Sequence, residues 1–379
     1  MGTAMPAAAP TGRPLPFTGA APKASPVRRP RLHVLDGLRL IAALYVVAYH
    51  YTAFAEHDPR PWGKPVHEVF PAFGRFSAYG YLGVQLFFLI SGFVICMTAW
   101  GRTPKEFLIS RVTRLFPAYW FAIAATSIAV LLLGGHWLRF GRSIDQALTN
   151  LTMLQDPLGV SDVDGVYWTL WCELVFYLLF LAVVAKGLTY KRVVSFCGLW
   201  LIAGVVTANS GDGVLNTITM PTQAPYFAGG VAIYLIYRYG PDLTLVGLTG
   251  LSWLLALHQT AGQMSAVSGH VGHRLHWEYA AGFVTACYAV LIAAALGRLD
   301  WVRWGGLTTL GALTYPLYLL HEDIGWAVIL HLHGAVPPWP LIGGLTALFL
   351  CAAWLVHRFV ERPMSRYLKR ELGRARVLA

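Results

Sequence analysis

The segment DGLRLIAALYVVAYH, from Asp36 to His50, places a histidine eleven residues after an arginine, with an uncharged and mostly apolar run between them. On a helix, Arg39 and His50 would lie about 16 Å apart along the axis, roughly half of a hydrocarbon core of about 30 Å. An ionisable side chain at that depth is costly and normally faces a cavity or a partner. The segment therefore predicts a membrane-spanning helix with a functional ring; the alternative is a histidine that reaches the outer interface.

The composition of the whole chain indicates a membrane protein. Of its 379 residues, 56% are hydrophobic and 12% are charged, whereas soluble domains carry about 25% charged residues. The expected fold is an all-α integral membrane protein with about ten transmembrane helices. The apolar stretches that predict them are residues 38–55, 79–100, 115–133, 165–186, 192–209, 224–238, 243–258, 277–297, 305–330 and 338–358.

The distribution of basic residues predicts the orientation, because lysine and arginine accumulate in cytoplasmic loops. With the N-terminus inside, all but six of the 29 lysines and arginines fall on the cytoplasmic side of the alternating topology. We therefore predict that both termini are cytoplasmic and that the net charge of +11 reflects topology rather than nucleic-acid binding. The six exceptions are Arg60, Lys64, Arg75, Arg139, Arg142 and Arg274.

Three parts of the chain differ in composition. We expect a disordered N-terminal tail over residues 1–30, a transmembrane domain over 31–363 and a basic cytoplasmic C-terminal tail over 364–379. All five cysteines fall within apolar runs and form no CxxC pair, so packing is expected rather than disulfides or zinc. The stretch Gln259–Trp277 contains three histidines among Gly and Ser, and a solvated loop is favoured there over a metal site.

Two later stretches also place ionisable groups in predicted helices. In GVYWTLWCELVFYLL, Glu173 lies about two turns below the outer end, and a structural hydrogen bond or ion pair is the alternative to a functional role. In TYPLYLLHED, the residues His321, Glu322 and Asp323 would lie about 27 Å along the helix from Arg303. An ordinary charged helix end explains that group about as well as a functional one.

The segment RTPKEFLISRVTRLFPAYW forms a basic loop between the second and third predicted helices. Positive-inside topology alone explains such a loop. Arg111 and Arg114 are three residues apart, so on a helix they project from one side. This pairing also suits a phosphate clamp, because arginine offers two parallel donors to phosphate oxygens.

Taken together, these stretches resemble the membrane-bound acyltransferase-3 family, bacterial O-acyltransferases that modify glycans, lipopolysaccharide and macrolide antibiotics. The similarity runs from about Leu35 to Pro363 in the family's order, although Gln85 stands where many members carry an acidic or other polar residue. The matching motifs are the Arg-x10-His signature in LDGLRLIAALYVVAYH, GV-x-x-FF-x-x-SGF in YLGVQLFFLISGFVI, R-x-x-R in FLISRVTRLFPAYW, W-[ST]-L-x-x-E-x-x-FY in YWTLWCELVFYLL, and the SYPLYLLH-like segment in TYPLYLLH.

The resemblance implies transfer of an acyl group from acyl-coenzyme A (acyl-CoA) to a hydroxyl of a sugar, glycan or macrolide-type acceptor. It also implies a multi-pass protein of the bacterial cytoplasmic (inner) membrane, surrounded by lipid. From the cysteine spacing and the placement of the basic residues we expect no metal and no nucleic-acid partner. On this expectation Arg39, Arg111 and Arg114 hold the phosphates of coenzyme A (CoA). His50 then acts as general base on the acceptor hydroxyl, and Glu173 orients the ring of His50 or binds the acceptor.

Three further residues are expected to contact substrate, namely His321, Ser91 and Trp168. Backbone amides near Ser91 and Gly92 could also stabilise an oxyanion. Direct transfer and an acyl-enzyme on Ser91 or His50 both stay open. The alternatives from other classes are a transporter or flippase, which would use the same Arg, Glu and His residues as a proton relay, and a non-catalytic membrane scaffold.

Overall fold

A computed structural model describes residues 32–54, 61–133 and 143–374, and the secondary structure of this part of the chain is helical, without β-strands. The predicted N-terminal tail, Arg60, Arg139 and Arg142 lie outside the described residues. The helices are α1 (His33–Thr52), α2 (Val66–Val69), α3 (Phe73–Ser77), α4 (Leu82–Ala99), α5 (Pro104–Leu133), α6 (Ile144–Asn150), α7 (Trp168–Ala185), α8 (Tyr190–Thr207), α9 (Gly213–Thr219), α10 (Ala224–Tyr239), α11 (Leu243–Val271), α12 (Trp277–Ala295), α13 (Gly306–Leu320), α14 (Glu322–Leu332), α15 (Pro338–Val356) and α16 (Arg362–Arg374). Short 3₁₀ turns over Ala78–Tyr81 and Gly165–Tyr167 precede α4 and α7, and a π turn over His357–Glu361 joins α15 to α16.

The predicted all-α class is confirmed, and each of the ten apolar stretches contains a helix. The count of ten spans and the orientation of the chain remain predictions. Seven stretches of the described chain are long and apolar enough to cross a membrane, and they are His33–Thr52, Phe73–Ala99, Pro104–Leu133, Gly165–Ala185, Tyr190–Thr207, Trp277–Ala295 and Pro338–Arg374.

Two segments expected as loops are helical. α5 begins at Pro104, eleven residues before the predicted start of the third span, so Arg111 and Arg114 project from a helix. The cause is a capping box, in which the Glu106 amide donates to the Thr103 hydroxyl (3.3 Å) and the Thr103 amide donates to the Glu106 carboxylate (2.9 Å). α11 likewise continues into the expected polar loop as far as Val271, and Gly272, with a positive φ of 71°, stops the helix.

The ninth predicted helix is divided at His321, between α13 and α14. His321, Glu322 and Asp323 are all buried. The interpretation of this group as an ordinary charged helix end is therefore wrong, because the chain continues as α14 and covers the three side chains. The C-terminal tail predicted from residue 364 is helical as far as Arg374 and packs against α5.

Close helix contacts in the interior depend on glycine. α1 packs against α4 and α13, and α4 packs in turn against α10. A Cβ on Gly230 would overlap the carbonyl oxygen of Leu89, and a Cβ on Gly92 would overlap that of Phe227. Small residues allow such backbone approach in membrane proteins, where the hydrophobic effect contributes little to helix association. Gly92 of the family-like SGF motif therefore has a packing role.

We expect Gly230→Ala to separate α4 from α10 and to lower stability by about 1–3 kcal/mol, the usual cost of overpacking a core. Thermal unfolding of detergent-purified protein measures the effect. Gly247→Ala on α11 is the matched control, because nothing lies within 4 Å of its Cβ position. Equal melting temperatures for the two variants would contradict the close-contact interpretation.

Candidate active site

The centre of the candidate site is a pair of histidine rings, His50 of α1 and His321 at the α13–α14 junction, which we call the histidine pair. His50 Nδ1 lies 2.8 Å from His321 Nε2, and the ring centroids are 5.0 Å apart. The two residues are separated by 271 positions in the sequence. The predicted catalytic and acceptor-binding histidines are thus brought into direct contact.

The hydrogen bonds of the pair define its tautomers. The backbone carbonyl of Tyr318 lies 2.8 Å from His321 Nδ1. A carbonyl can only accept, so His321 Nδ1 carries a proton, and in the neutral ring Nε2 is the acceptor. His50 must then donate from Nδ1, which leaves the lone pair of the neutral His50 ring on Nε2. This nitrogen lies 3.6 Å from the Glu322 carboxylate.

Helical hydrogen bonding is interrupted at His321, and side chains bind backbone carbonyls at this junction. Tyr51 donates to the His321 carbonyl (2.6 Å), and Tyr167 donates to that of Leu319 (3.4 Å). Exposed backbone groups within a membrane need such internal partners. The Tyr51 hydroxyl fits because residue 325 is glycine, where a Cβ would overlap it.

Three buried carboxyl groups surround the junction, namely Asp164, Glu322 and Asp323. Asp164 accepts from the backbone amides of Val166 (3.3 Å) and Asp323 (3.4 Å). Asp164 was not among the predicted site residues. Aspartate is common at the N-terminal cap of a helix, so its position in the sequence gave no sign of another role. Its burial raises the pKa of Asp164 to about 7.

A second polar region, the arginine cavity, has a volume of about 320 Å³. Its lining includes Arg39, Arg111, Arg114, Ser91 and Glu173, so five of the predicted site residues meet there. The remaining polar or charged lining residues are Ser110, Thr113, Tyr177, Tyr315, Glu361, Ser365 and Lys369.

The three arginines of this cavity differ in how they are held. Arg114 forms an ion pair with Glu361 and lies over the ring of Tyr315, 5.1 Å from its centroid. Arg111 donates to the Ser110 hydroxyl (2.7 Å). The Nε atoms of Arg39 and Arg111 are buried and have no hydrogen-bond partner among the described residues. Unpaired buried donors of this kind favour an anionic ligand.

A narrow cavity of about 60 Å³, the connecting cavity, shares Arg39, Glu173 and Tyr315 with the arginine cavity. It ends at Tyr318 and Thr169, whose hydroxyls lie 3.2 Å apart. The ring of Tyr318 is 5.7 Å from that of His321. The rest of its lining is mainly apolar and comprises Val84, Phe87, Phe88, Leu170 and Thr314.

A larger cavity, of about 1150 Å³, begins near Thr52 and Ala53 at the other end of α1, and we call it the aromatic cavity. Val66 lines both this cavity and a small one at His50. Thirteen residues of helix separate Arg39 from Thr52, about 20 Å. The aromatic residues that line the large cavity are Tyr45, Phe70, Phe76, Tyr79, Tyr279 and Phe283.

Two predicted roles change with this geometry. Glu173 accepts from the Ser91 hydroxyl (2.8 Å) in the arginine cavity, so the group that orients the ring of His50 is His321. The backbone amides of Ser91 and Gly92 lie in the middle of α4, where intrahelical bonds occupy them, which removes the oxyanion role. Trp168 is 38% exposed and packs edge-on against Phe88.

The sequence comparisons agree with these motifs. Residues 32–358 match the sequence profile of the acyltransferase-3 family, which describes an acyltransferase domain. The chain belongs to the acyltransferase-3 family. Membership makes this protein an enzyme that transfers acyl groups, and the long apolar helices make it a multi-pass membrane acyltransferase. Among the described residues, no group of three or more His, Cys, Asp or Glu side chains is arranged to hold a metal ion.

Several curated proteins resemble the chain. Acyltransferase MdmB of Streptomyces mycarofaciens is 25% identical over 393 residues, which cover 93% of this chain and 96% of MdmB. O-acetyltransferase OatA of Staphylococcus aureus is 22% identical over 384 residues, which cover 88% of this chain but 57% of OatA. Protein 2 in the picA locus of Rhizobium radiobacter is 37% identical over 114 residues, 27% of this chain and 50% of that protein. No solved structure matches the chain.

The contribution of Asp164 to the stability of this acyltransferase should fall as pH rises from about 4 towards 7. Over that range buried Asp164, with a pKa of about 7, keeps a proton that the unfolded chain has released. The folded state then binds more protons than the unfolded state, so raising the pH favours unfolding.

Melting temperatures of the wild type and of Asp164→Asn between pH 5 and pH 8 test this expectation. The amide cannot titrate, so the variant should lose less stability across the range. Asp156→Asn, exposed in the same loop, should keep the slope of the wild type. Parallel curves for the wild type and Asp164→Asn would contradict the assignment.

Proposed function

We propose that this protein is an integral membrane O-acyltransferase that moves an acyl group from acyl-CoA to a hydroxyl of a sugar, glycan or macrolide-type acceptor. The observation that carries the proposal is the hydrogen-bonded chain from the Tyr318 carbonyl through His321 to His50. It leaves the lone pair of a neutral ring on His50 Nε2, as a general base requires.

In the proposed reaction, His50 Nε2 takes the proton of the acceptor hydroxyl as its oxygen attacks the thioester carbon. The bond between that carbon and sulfur breaks, and the same proton passes to the departing CoA thiolate. His321 acts as a positioning residue, because it holds the His50 ring through Nδ1. The Glu322 carboxyl group lies 3.6 Å from Nε2, so its oxygen would face the imidazolium that forms during the step.

The arginine cavity is the proposed site for the CoA nucleotide. Phosphate oxygens would supply acceptors for the buried guanidinium nitrogens of Arg39 and Arg111 that lack partners in the described chain. The connecting cavity is narrow and mainly apolar, which suits the thin, largely uncharged pantetheine arm. Its far end at Tyr318 would bring the thioester next to the histidine pair.

The aromatic cavity is the proposed acceptor site. Its volume of about 1150 Å³ is sufficient for a large ring system or several sugars. Aromatic side chains give flat apolar surfaces for the carbon faces of such molecules. Val66, which also lines the small cavity at His50, marks the side from which an acceptor hydroxyl would approach.

The donor and base roles are tested by the release of CoA from acetyl-CoA in the presence of acceptor, using detergent-purified protein. His50→Ala should lower kcat by about 10²–10⁴-fold with little change in KM for acetyl-CoA. Arg111→Gln combined with Arg114→Gln should instead raise that KM at least about tenfold.

Size-exclusion profiles and melting temperatures of the same variants control for folding. Near-full turnover by His50→Ala would remove the base assignment. A wild-type protein that transports a solute but neither transfers nor hydrolyses the thioester would instead support the transporter alternative.

The acceptor site is tested by filling the aromatic cavity from Gly282, which lines it and has nothing within 4 Å of its Cβ position. Gly282→Phe should raise KM for the acceptor several-fold and leave KM for acetyl-CoA unchanged. Gly247→Phe is the matched control, since it is equally open and lies on α11 outside the cavity. Unchanged acceptor kinetics in Gly282→Phe would exclude this cavity as the acceptor site.

A further inference from the structure

The C-terminal helix α16 contributes directly to the arginine cavity. Ser365 and Lys369 line the cavity and are four residues apart, so they project from one face of the helix. Lys369 forms no ion pair or hydrogen bond with any other described residue. No predicted site residue came from this part of the chain, where a basic tail is explained by topology alone.

Three contacts with α5 hold the π turn and α16 against the cavity. The π turn His357–Glu361 directs Glu361 inward, where it accepts from His357 Nδ1 (2.9 Å) and pairs with Arg114. Ser365 donates to the Thr113 carbonyl. At the other end of the helix, Lys105 donates to the Gly373 carbonyl (3.3 Å). Helix α16 is therefore anchored along its length to the helix that carries Arg111 and Arg114.

An apolar stripe fixes the rotation of α16. Met364, Leu368 and Leu372 recur every four residues and are half-buried, whereas Arg366 and Arg370 are exposed. Since the stripe faces the protein, the neighbouring positions 365 and 369 border the cavity and the other basic residues face away. Topology accounts for the presence of basic residues on this helix but not for the placement of one of them in the cavity.

The charge of the cavity favours an anion with more than one negative group. Its lining holds the cations Arg39, Arg111, Arg114 and Lys369 against the carboxylates of Glu173 and Glu361. One cation, Arg114, already has a close carboxylate partner. The other three cations face one remaining carboxylate, that of Glu173, so the cavity keeps an excess of positive charge. Of these three cations, Lys369 is the exposed one.

We propose that α16 completes the donor site, with Lys369 binding a phosphate of the acyl-CoA nucleotide and Ser365 supporting the helix one turn earlier. The inference rests on the proposed function, because it assumes that the anion in the cavity is the donor. An anionic lipid headgroup offers the same phosphate chemistry, and the experiment separates the two sources.

The test compares acetyl-CoA with acetyl-pantetheine, which carries the same thioester but no nucleotide phosphates. Lys369→Gln should raise KM for acetyl-CoA about tenfold, the usual effect of losing one charge-assisted contact, with kcat nearly unchanged. With acetyl-pantetheine the variant and the wild type should behave alike. Arg370→Gln, next in sequence and exposed away from the cavity, is the matched control and should match the wild type with both donors.

Three outcomes would overturn the inference: equal effects of Lys369→Gln and Arg370→Gln, an equal loss with both donors, or no change at all. A KM for acetyl-CoA that changes only when phosphatidylglycerol is added would assign Lys369 to a lipid instead. Calorimetric binding of CoA to the same variants measures the phosphate contact without turnover. A wild type without acetyl transfer would refute the proposed function, whereas the contrast between the two variants in CoA binding would still decide the role of Lys369.

Discussion

The hydrogen bond between the rings of His50 and His321 is the contact on which the rest of the site depends. It joins α1 to the point where α13 gives way to α14 and constrains the rotation of both segments. The contact is possible because the helix opens there and neighbouring side chains satisfy its carbonyls. In surroundings without water, a ring nitrogen and a free carbonyl each need a partner inside the protein. The same constraint therefore shapes the fold and defines the tautomers of the candidate base.

At the other end of α1, around the arginine cavity, buried charges are compensated in a different way. Guanidinium groups stay charged, so three arginines around one cavity require compensating groups or a ligand. Glu361 supplies compensation for Arg114, whereas Arg39 and Arg111 keep buried Nε atoms without partners in the described chain. A cavity with unsatisfied donors is less stable than a filled one. Ligand binding and stability are therefore linked there, and an anionic donor would contribute to both.

The sequence predicted the helical class, the ten helical stretches and the grouping of Arg39, Arg111 and Arg114, because period, motif order and the cost of buried charge are local signals. It expected Glu173 and Ser91 near the reacting groups, whereas the structure places them beside these arginines. It did not predict which carboxylate or ring would face His50. That choice depends on how α1 and the α13–α14 junction are rotated about their axes. His50 and His321 are 271 positions apart in the sequence, and hydropathy does not report helix rotation. Asp164 was missed because an N-cap and a buried acid look alike in sequence. The proline, histidine and two acids of TYPLYLLHED were the one available signal of a polar break within an apolar helix.

The size and lining of the three cavities suggest how acyl transfer would be favoured over hydrolysis of the thioester in the proposed reaction. The arginine cavity is polar and the aromatic cavity is large, whereas the connecting cavity of about 60 Å³ is mainly apolar and ends at the contact between Tyr318 and Thr169. Such a space has room for very little water, so in the proposed reaction a pantetheine arm would fill it almost completely. Water from the donor side would then be kept from the thioester, and the ring of His50 would act on the hydroxyl supplied from the aromatic cavity. The same filled passage would keep the donor end and the acceptor end of the protein separate during transfer.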